Sequence, residues 1–151
     1  MSANLNVLRP KTKKMCEMFI EACAKNGIIV SITQTFRSSE IQCAYYSQGR
    51  ESLSEVNAKR KIAGLSSIAE KDNKIVTKAP KGTSPHEYGL AFDFVPIVNG
   101  VASWNDLKLF QTCGQIGKAI SFEGYSLEWG GDFKSIKDLP HFQLKNWKHY
   151  K

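Results

Sequence analysis

Ser84-Pro85-His86-Glu87-Tyr88-Gly89-Leu90-Ala91-Phe92-Asp93-Phe94-Val95-Pro96 sets a histidine and an aspartate around a short apolar alternation. Leu90, Phe92 and Phe94 alternate with Ala91, Asp93 and Val95, the period of two that belongs to a strand with one face on the core. That phase turns Asp93 away from the phenylalanines. Pro96 lacks an N–H for a sheet ladder and is expected to end the run, while Gly89 tolerates the positive φ that a bend needs. Such a bend brings His86 over Asp93.

The phase repeats near the C-terminus in Asp138-Leu139-Pro140-His141-Phe142-Gln143-Leu144. Phe142 and Leu144 share one face and His141 and Gln143 the other, so pairing the two segments sets His141 beside Asp93. Two imidazoles and a carboxylate, with a fourth position left for water, suit catalytic zinc. None of the four cysteines forms a CxxC pair, so a closed thiolate site is not indicated.

The combination SxHxxGxAxD followed by DxPHF resembles the zinc D-Ala-D-Ala carboxypeptidases and L-alanyl-D-glutamate peptidases, which share a fold with the hedgehog signalling domain. Single-domain phage endolysins and bacterial peptidoglycan endopeptidases are the nearest members. Arg37-Ser38 followed by Tyr46-Ser47-Gln48-Gly49-Arg50 is similar to the family's R-S…Y-x-Q-G-R segment, and Trp129-Gly130-Gly131 to its WGG turn. The resemblance implies His86, Asp93 and His141 as zinc ligands, Arg37 and Ser84 at the substrate, and Asp138, three residues before His141, as the general base. Glu128 is the rival base, thirteen residues before His141. Glu87 is read as a solvent or supporting group and His149 as exposed.

At 151 residues the chain is long enough for one self-sufficient domain, 1–151. With 21 Lys and Arg against 14 Asp and Glu, it carries a formal charge of +7, which favours an anionic partner. No recognition helix, zinc finger or ribonucleoprotein motif accompanies that charge, so nucleic acid is not expected; peptidoglycan-bearing walls are anionic too. Met1 to Pro10 has no charged head followed by a long apolar stretch, so no signal peptide is read, and no apolar run approaches the roughly 18 residues a membrane span needs. Synthesis in the cytoplasm followed by release to the wall, as a monomer, is the expectation. Cys16 and Cys23 lie about 10 Å apart along a helix at about 1.5 Å per residue, too far for a disulfide, and all four cysteines are read as reduced and inert.

Apolar spacing predicts a helix over Lys11–Asn26, then a strand over Ile28–Phe36 with Ile28, Val30, Ile32 and Phe36 in one phase. Ser39-Glu40-Ile41-Gln42 has capping-box spacing for a helix that stops at Gly49. A short helix over Ser54–Ala63 falls within 51–74, an insertion relative to compact family members that either flanks the cleft or decorates the surface. Ile75-Val76-Thr77 reads as a strand, Asn99-Gly100 as a hairpin turn, and Ser103 as the cap of a helix over Asn105–Phe122, with Leu107 inward and Gly124 closing it. The expected fold is α+β: a small antiparallel sheet carrying Asp93 and His141 on its polar face, with helices on the other side.

The resemblance implies hydrolysis of peptidoglycan stem peptides, foremost at L-alanyl-D-glutamate. The alternatives are a D-alanyl-D-alanine carboxypeptidase and a zinc-containing binding domain without activity.

Overall fold

Phe92 and Phe94 place the core where their alternation predicts. In the computed structural model, which describes residues 3–151, both are fully buried in β2 (Ala91–Val98). Met1 and Ser2, at the head of the segment read for a signal peptide, lie outside the described residues. The chain divides into two compact units, one formed by the residues up to Phe36 with Tyr88–Lys151 and the other by Arg37–Glu87.

The first unit holds an antiparallel sheet. Its strands β1 (Ile29–Gln34), β2, β3 (Val101–Ala102), β4 (Ser121–Phe122), β5 (Tyr125–Trp129) and β6 (His141–Leu144) follow the order β1-β2-β6-β5-β4, with β3 beside β2. Helices α1 (Pro10–Lys25) and α4 (Leu107–Lys118) cover the apolar face. Phe19 of α1 sits 5.0 Å from Phe94 and 4.9 Å from Phe142 between ring centroids, and Phe110 of α4 sits 5.5 Å from Phe94, all within the favourable range for aromatic pairs. Two glycines let α4 lie this close: a Cβ on Gly114 would fall 2.4 Å from the Trp129 ring, and one on Gly117 would fall 2.1 Å from the Phe142 ring.

Several expectations are corrected here. Pro96 does not end β2, which continues to Val98. Phe94 N–H donates to Pro140 O and Leu90 O accepts from Leu144, so even-numbered residues turn their polar groups toward β6. Pro96 lies past that pairing, and its missing N–H leaves no gap in the ladder. The β1 register shifts between Ile32 and Gln34, a bulge that reverses the phase beyond it. Thr35 is therefore buried and donates to Asn4 O, while Phe36, expected inside, is exposed. Ser103 does not cap α4, because the helix starts four residues later at Leu107; Asp106 caps it by accepting from Leu109 N–H at 3.0 Å. Leu107, at the first position of the helix, is consequently exposed. The helix stops at Lys118, and Gly124 turns the β4–β5 hairpin with Glu123 rather than closing the helix, both at positive φ. Asn99 (φ 52°) and Gly100 (φ 77°) form the expected turn between β2 and β3.

The second unit contains α2 (Ser39–Ser47) and α3 (Leu53–Ile62) packed on one another. Ser38, one residue earlier than expected, caps α2 by accepting from Ile41 N–H. Ser52 and Glu55 form a reciprocal capping box on α3. Ile75-Val76-Thr77 is not a strand. It is held by side chains instead: Arg50 donates to Thr77 O, and Gln42 donates to the Thr77 hydroxyl and to Ala79 O just beyond. Residues 51–74 are tied to their own unit, since Asn73 accepts from Gly49 N–H and donates to Glu51 O. Cys16, Cys23 and Cys113 are buried, Cys43 is partly so, and all four are free thiols. Burial, with the Glu17 charge adding, pushes the Cys16 thiol up to about 12, which keeps it protonated and unreactive.

Candidate metal centre and active site

The β2–β6 register sets Asp93 opposite His141. On the face away from the phenylalanines, His141 Nδ1 lies 3.0 Å from Asp93 Oδ1. Its other ring nitrogen, Nε2, lies 2.9 Å from Gln143 Oε1, and Gln143 Nε2 donates to Glu128 Oε2 at 3.1 Å. His141 is only 5% exposed. Burial disfavours its charged form, but the hydrogen bond and charge of Asp93, with Asp138 adding, outweigh that penalty and hold its pKa above the ordinary 6.5.

Trp129 and the two glycines after it shape the segment that leads to His141. The Trp129 indole donates to Leu139 O at 2.9 Å, and Asp138 N–H donates to Gly130 O at 2.9 Å. A Cβ on Gly130 would stand 2.2 Å from Asp138 O, and one on Gly131 would stand 2.3 Å from the Trp129 ring. Glycine at 130 is thus what lets Asp138 close against the turn, three residues before His141, and glycine at 131 leaves room for the Trp129 ring.

The histidine loop is a 3-10 turn, Pro85–Tyr88. Glu87 does not point idly to solvent: its carboxylate accepts from Gly82 N–H at 2.8 Å and from Ser84 N–H at 2.9 Å. Ser84 Oγ in turn accepts from His86 N–H at 3.3 Å, so buried Ser84 and His86 are pinned by one short network. Gly89, at φ 69°, supplies the predicted bend into β2. Arg37 N–H donates to His86 O at 3.0 Å, its guanidinium donates to Gln42 Oε1 at 2.8 Å, and its charge lies 4.9 Å over the Tyr45 ring. His149 is exposed, as read.

Of the three expected ligands, Asp93 and His141 lie in the first unit with donor atoms 3.0 Å apart, and His86 lies in the second. Donors that share one zinc ion at about 2.1 Å each in tetrahedral geometry stand about 3.4 Å apart. The 3.0 Å between His141 Nδ1 and Asp93 Oδ1 is close to that edge, so this pair of donors fits such an ion with small side-chain adjustments. Sequence reasoning passed over Gln42 and Gln143. Gln143 shares the strand parity of His141, a legible signal; its partnership with Glu128 needed the β5–β6 register, in which these two residues are paired.

Residues 77–144 match the family model described as D-alanyl-D-alanine carboxypeptidase. The chain is 32% identical over 152 positions to the peptidoglycan L-alanyl-D-glutamate endopeptidase CwlK of Bacillus subtilis (strain 168), covering 91% of this chain and 73% of that protein. Among solved structures it is similar to the L-Ala D-Glu endopeptidase ChiX of Serratia marcescens, with TM-score 0.55, 22% identity, 97% of this chain and 86% of that one covered. It is also similar to the vancomycin resistance D,D-pentapeptidase VanY in complex with Zn(II), with TM-score 0.51, 18% identity, 90% of this chain and 71% of that one covered. At these identities the structural likeness is one of fold.

Proposed function

Because this chain belongs to the family of D-alanyl-D-alanine carboxypeptidases and L-alanyl-D-glutamate peptidases, we propose that it is a zinc peptidase that hydrolyses the L-alanyl-D-glutamate bond of peptidoglycan stem peptides. The observation that carries this reading is the pairing of His141 Nδ1 with Asp93 Oδ1 at 3.0 Å on the polar face of the sheet, to which we add His86 of the matching motif as the third ligand. The endopeptidase name of the 32% identical relative supports the bond assignment. The family model's description favours the second reading, removal of a terminal D-alanine.

Bound zinc supplies a water of lowered pKa and polarisation of the scissile carbonyl. Asp138 takes the proton of the attacking water and returns it to the leaving amine. Its closeness in sequence to His141, and the His141 N–H donated to Asp138 O at 3.1 Å, tie the base to a ligand through the backbone. Arg37 offers a guanidinium whose plane is fixed by Gln42 and Tyr45, suited to a substrate carbonyl or carboxylate. Ser84 serves beside it at the substrate. The positive charge of the chain draws it to an anionic wall, an attraction that weakens as salt rises. The peptidase names of the relatives support a place in wall lysis. Among the described residues no helix is long and apolar enough to cross a membrane.

The test is chelation. Peptidoglycan hydrolysis should stop when the metal is removed and return with added zinc, and His86→Ala or His141→Ala should lose stoichiometric zinc. Full zinc content in both variants would place the metal elsewhere.

A further inference from the structure

Four side chains from three neighbouring strands form an unbroken hydrogen-bond chain on the polar face of the sheet: Asp93 in β2, His141 and Gln143 in β6, and Glu128 in β5. The backbone dictates it. Asp93 is paired with His141 and Glu128 with Gln143, and the two β6 residues share a face because they are two apart.

The far end decides the near end. An ionised carboxylate accepts hydrogen bonds and offers none, so the contact of 3.1 Å with Glu128 requires Gln143 to turn its NH2 outward. Gln143 Oε1 then faces His141 Nε2 at 2.9 Å, and a carbonyl oxygen also only accepts. Nε2 must therefore carry hydrogen. A neutral imidazole has one N–H, so its lone pair falls on Nδ1, the nitrogen 3.0 Å from Asp93 Oδ1. Without Glu128, the Gln143 amide is free to rotate by half a turn and offer its NH2 to Nε2, which would move the lone pair to the side away from Asp93.

We propose that Gln143 and Glu128 are positioning residues that lock His141 in the Nε2–H tautomer and aim its Nδ1 lone pair at a divalent cation shared with Asp93. This rests on the zinc reading above and assigns Glu128 a task different from that of a base. Partners of this kind behind a metal ligand alter affinity by about 10- to 100-fold when removed.

The experiment uses the full chain loaded with zinc. Long-range proton–nitrogen correlation spectra identify which ring nitrogen of His141 is protonated, and competition with a chromophoric chelator measures zinc affinity. The wild type should carry hydrogen on Nε2 and metal on Nδ1. Gln143→Leu should weaken zinc binding by about 10- to 100-fold. The double variant Gln143→Glu with Glu128→Gln keeps an acceptor facing Nε2–H and places a donor behind it, so it should recover most of the affinity that Gln143→Leu loses; a merely structural role predicts no such rescue. Hydrogen on Nδ1 in the wild type, wild-type affinity in Gln143→Leu, or an unrescued double variant would overturn the proposal. A wild type that takes up no stoichiometric zinc would instead overturn the metal reading itself.

Discussion

Replacing Gly130 by alanine should cripple turnover without emptying the metal site. Gly130 is not one of the glycines with positive φ, so alanine meets no backbone strain there and the effect is purely one of space. The added Cβ would stand 2.2 Å from Asp138 O and 3.0 Å from Asp138 Cβ. Since a Cβ contact below 3.0 Å is not tolerated, the backbone of Asp138 must retreat by about 0.8 Å, carrying the side chain with it. A misplacement near 1 Å in a catalytic group costs on the order of a hundredfold in rate. Overpacking of this kind also costs roughly 1–3 kcal/mol of stability. Turnover on peptidoglycan at saturating zinc, with zinc content and thermal midpoint measured on the same samples, separates the two effects. Gly124→Ala is the control: φ is 84° there and nothing lies within 4 Å, so it should lose about 1–2 kcal/mol of stability and no activity. A Gly130→Ala enzyme within twofold of wild type, or one no worse than Gly124→Ala, would refute the idea that this turn positions the base.

Asp138→Ala should keep its zinc and fold yet lose roughly a hundredfold to ten-thousandfold in turnover, whereas Glu128→Ala at saturating zinc should stay active; the reverse pattern would exchange their roles. In the metal-free protein the raised pKa of His141 means that its protonated ring stabilises the fold, fully below 6.5 and less as pH climbs through the raised value. The thermal midpoint of chelated wild type should therefore fall as pH rises from 6.5, more than that of Asp93→Asn, and equal slopes would contradict the pairing. Phe142→Ala, which empties the centre of the aromatic cluster, should cost about 3–5 kcal/mol in denaturant unfolding. A loss below about 1 kcal/mol would show that the cluster is not the core.

The alternations around Asp93 and His141 were legible because a strand's period of two writes the core face and the polar face directly into residue order. The same logic failed at Phe36, where one extra residue in β1 reversed the phase, and bulges leave no mark in apolar spacing. It failed again at Ile75-Val76-Thr77: a short β-branched run reads as a strand, but Thr77 is held by the Arg50 and Gln42 side chains, chosen by tertiary packing. Ser103 looked like a cap because serine caps helices, yet the helix begins only at Leu107 and Asp106 stands at its cap. The candidate ligands and base were carried by motif spacing. The supporting contacts of Glu87, Gln42, Gln143 and Glu128 were not, since each depends on a turn or register that only the folded chain defines.

The most direct test of the central claim is digestion of purified peptidoglycan with the zinc-loaded protein, followed by mass spectrometry of the released peptides. Hydrolysis at L-alanyl-D-glutamate solubilises the wall and exposes new amino termini on D-glutamate. Release of free D-alanine alone, with the stem peptides otherwise intact, would contradict the endopeptidase assignment and move the chain to the carboxypeptidase branch.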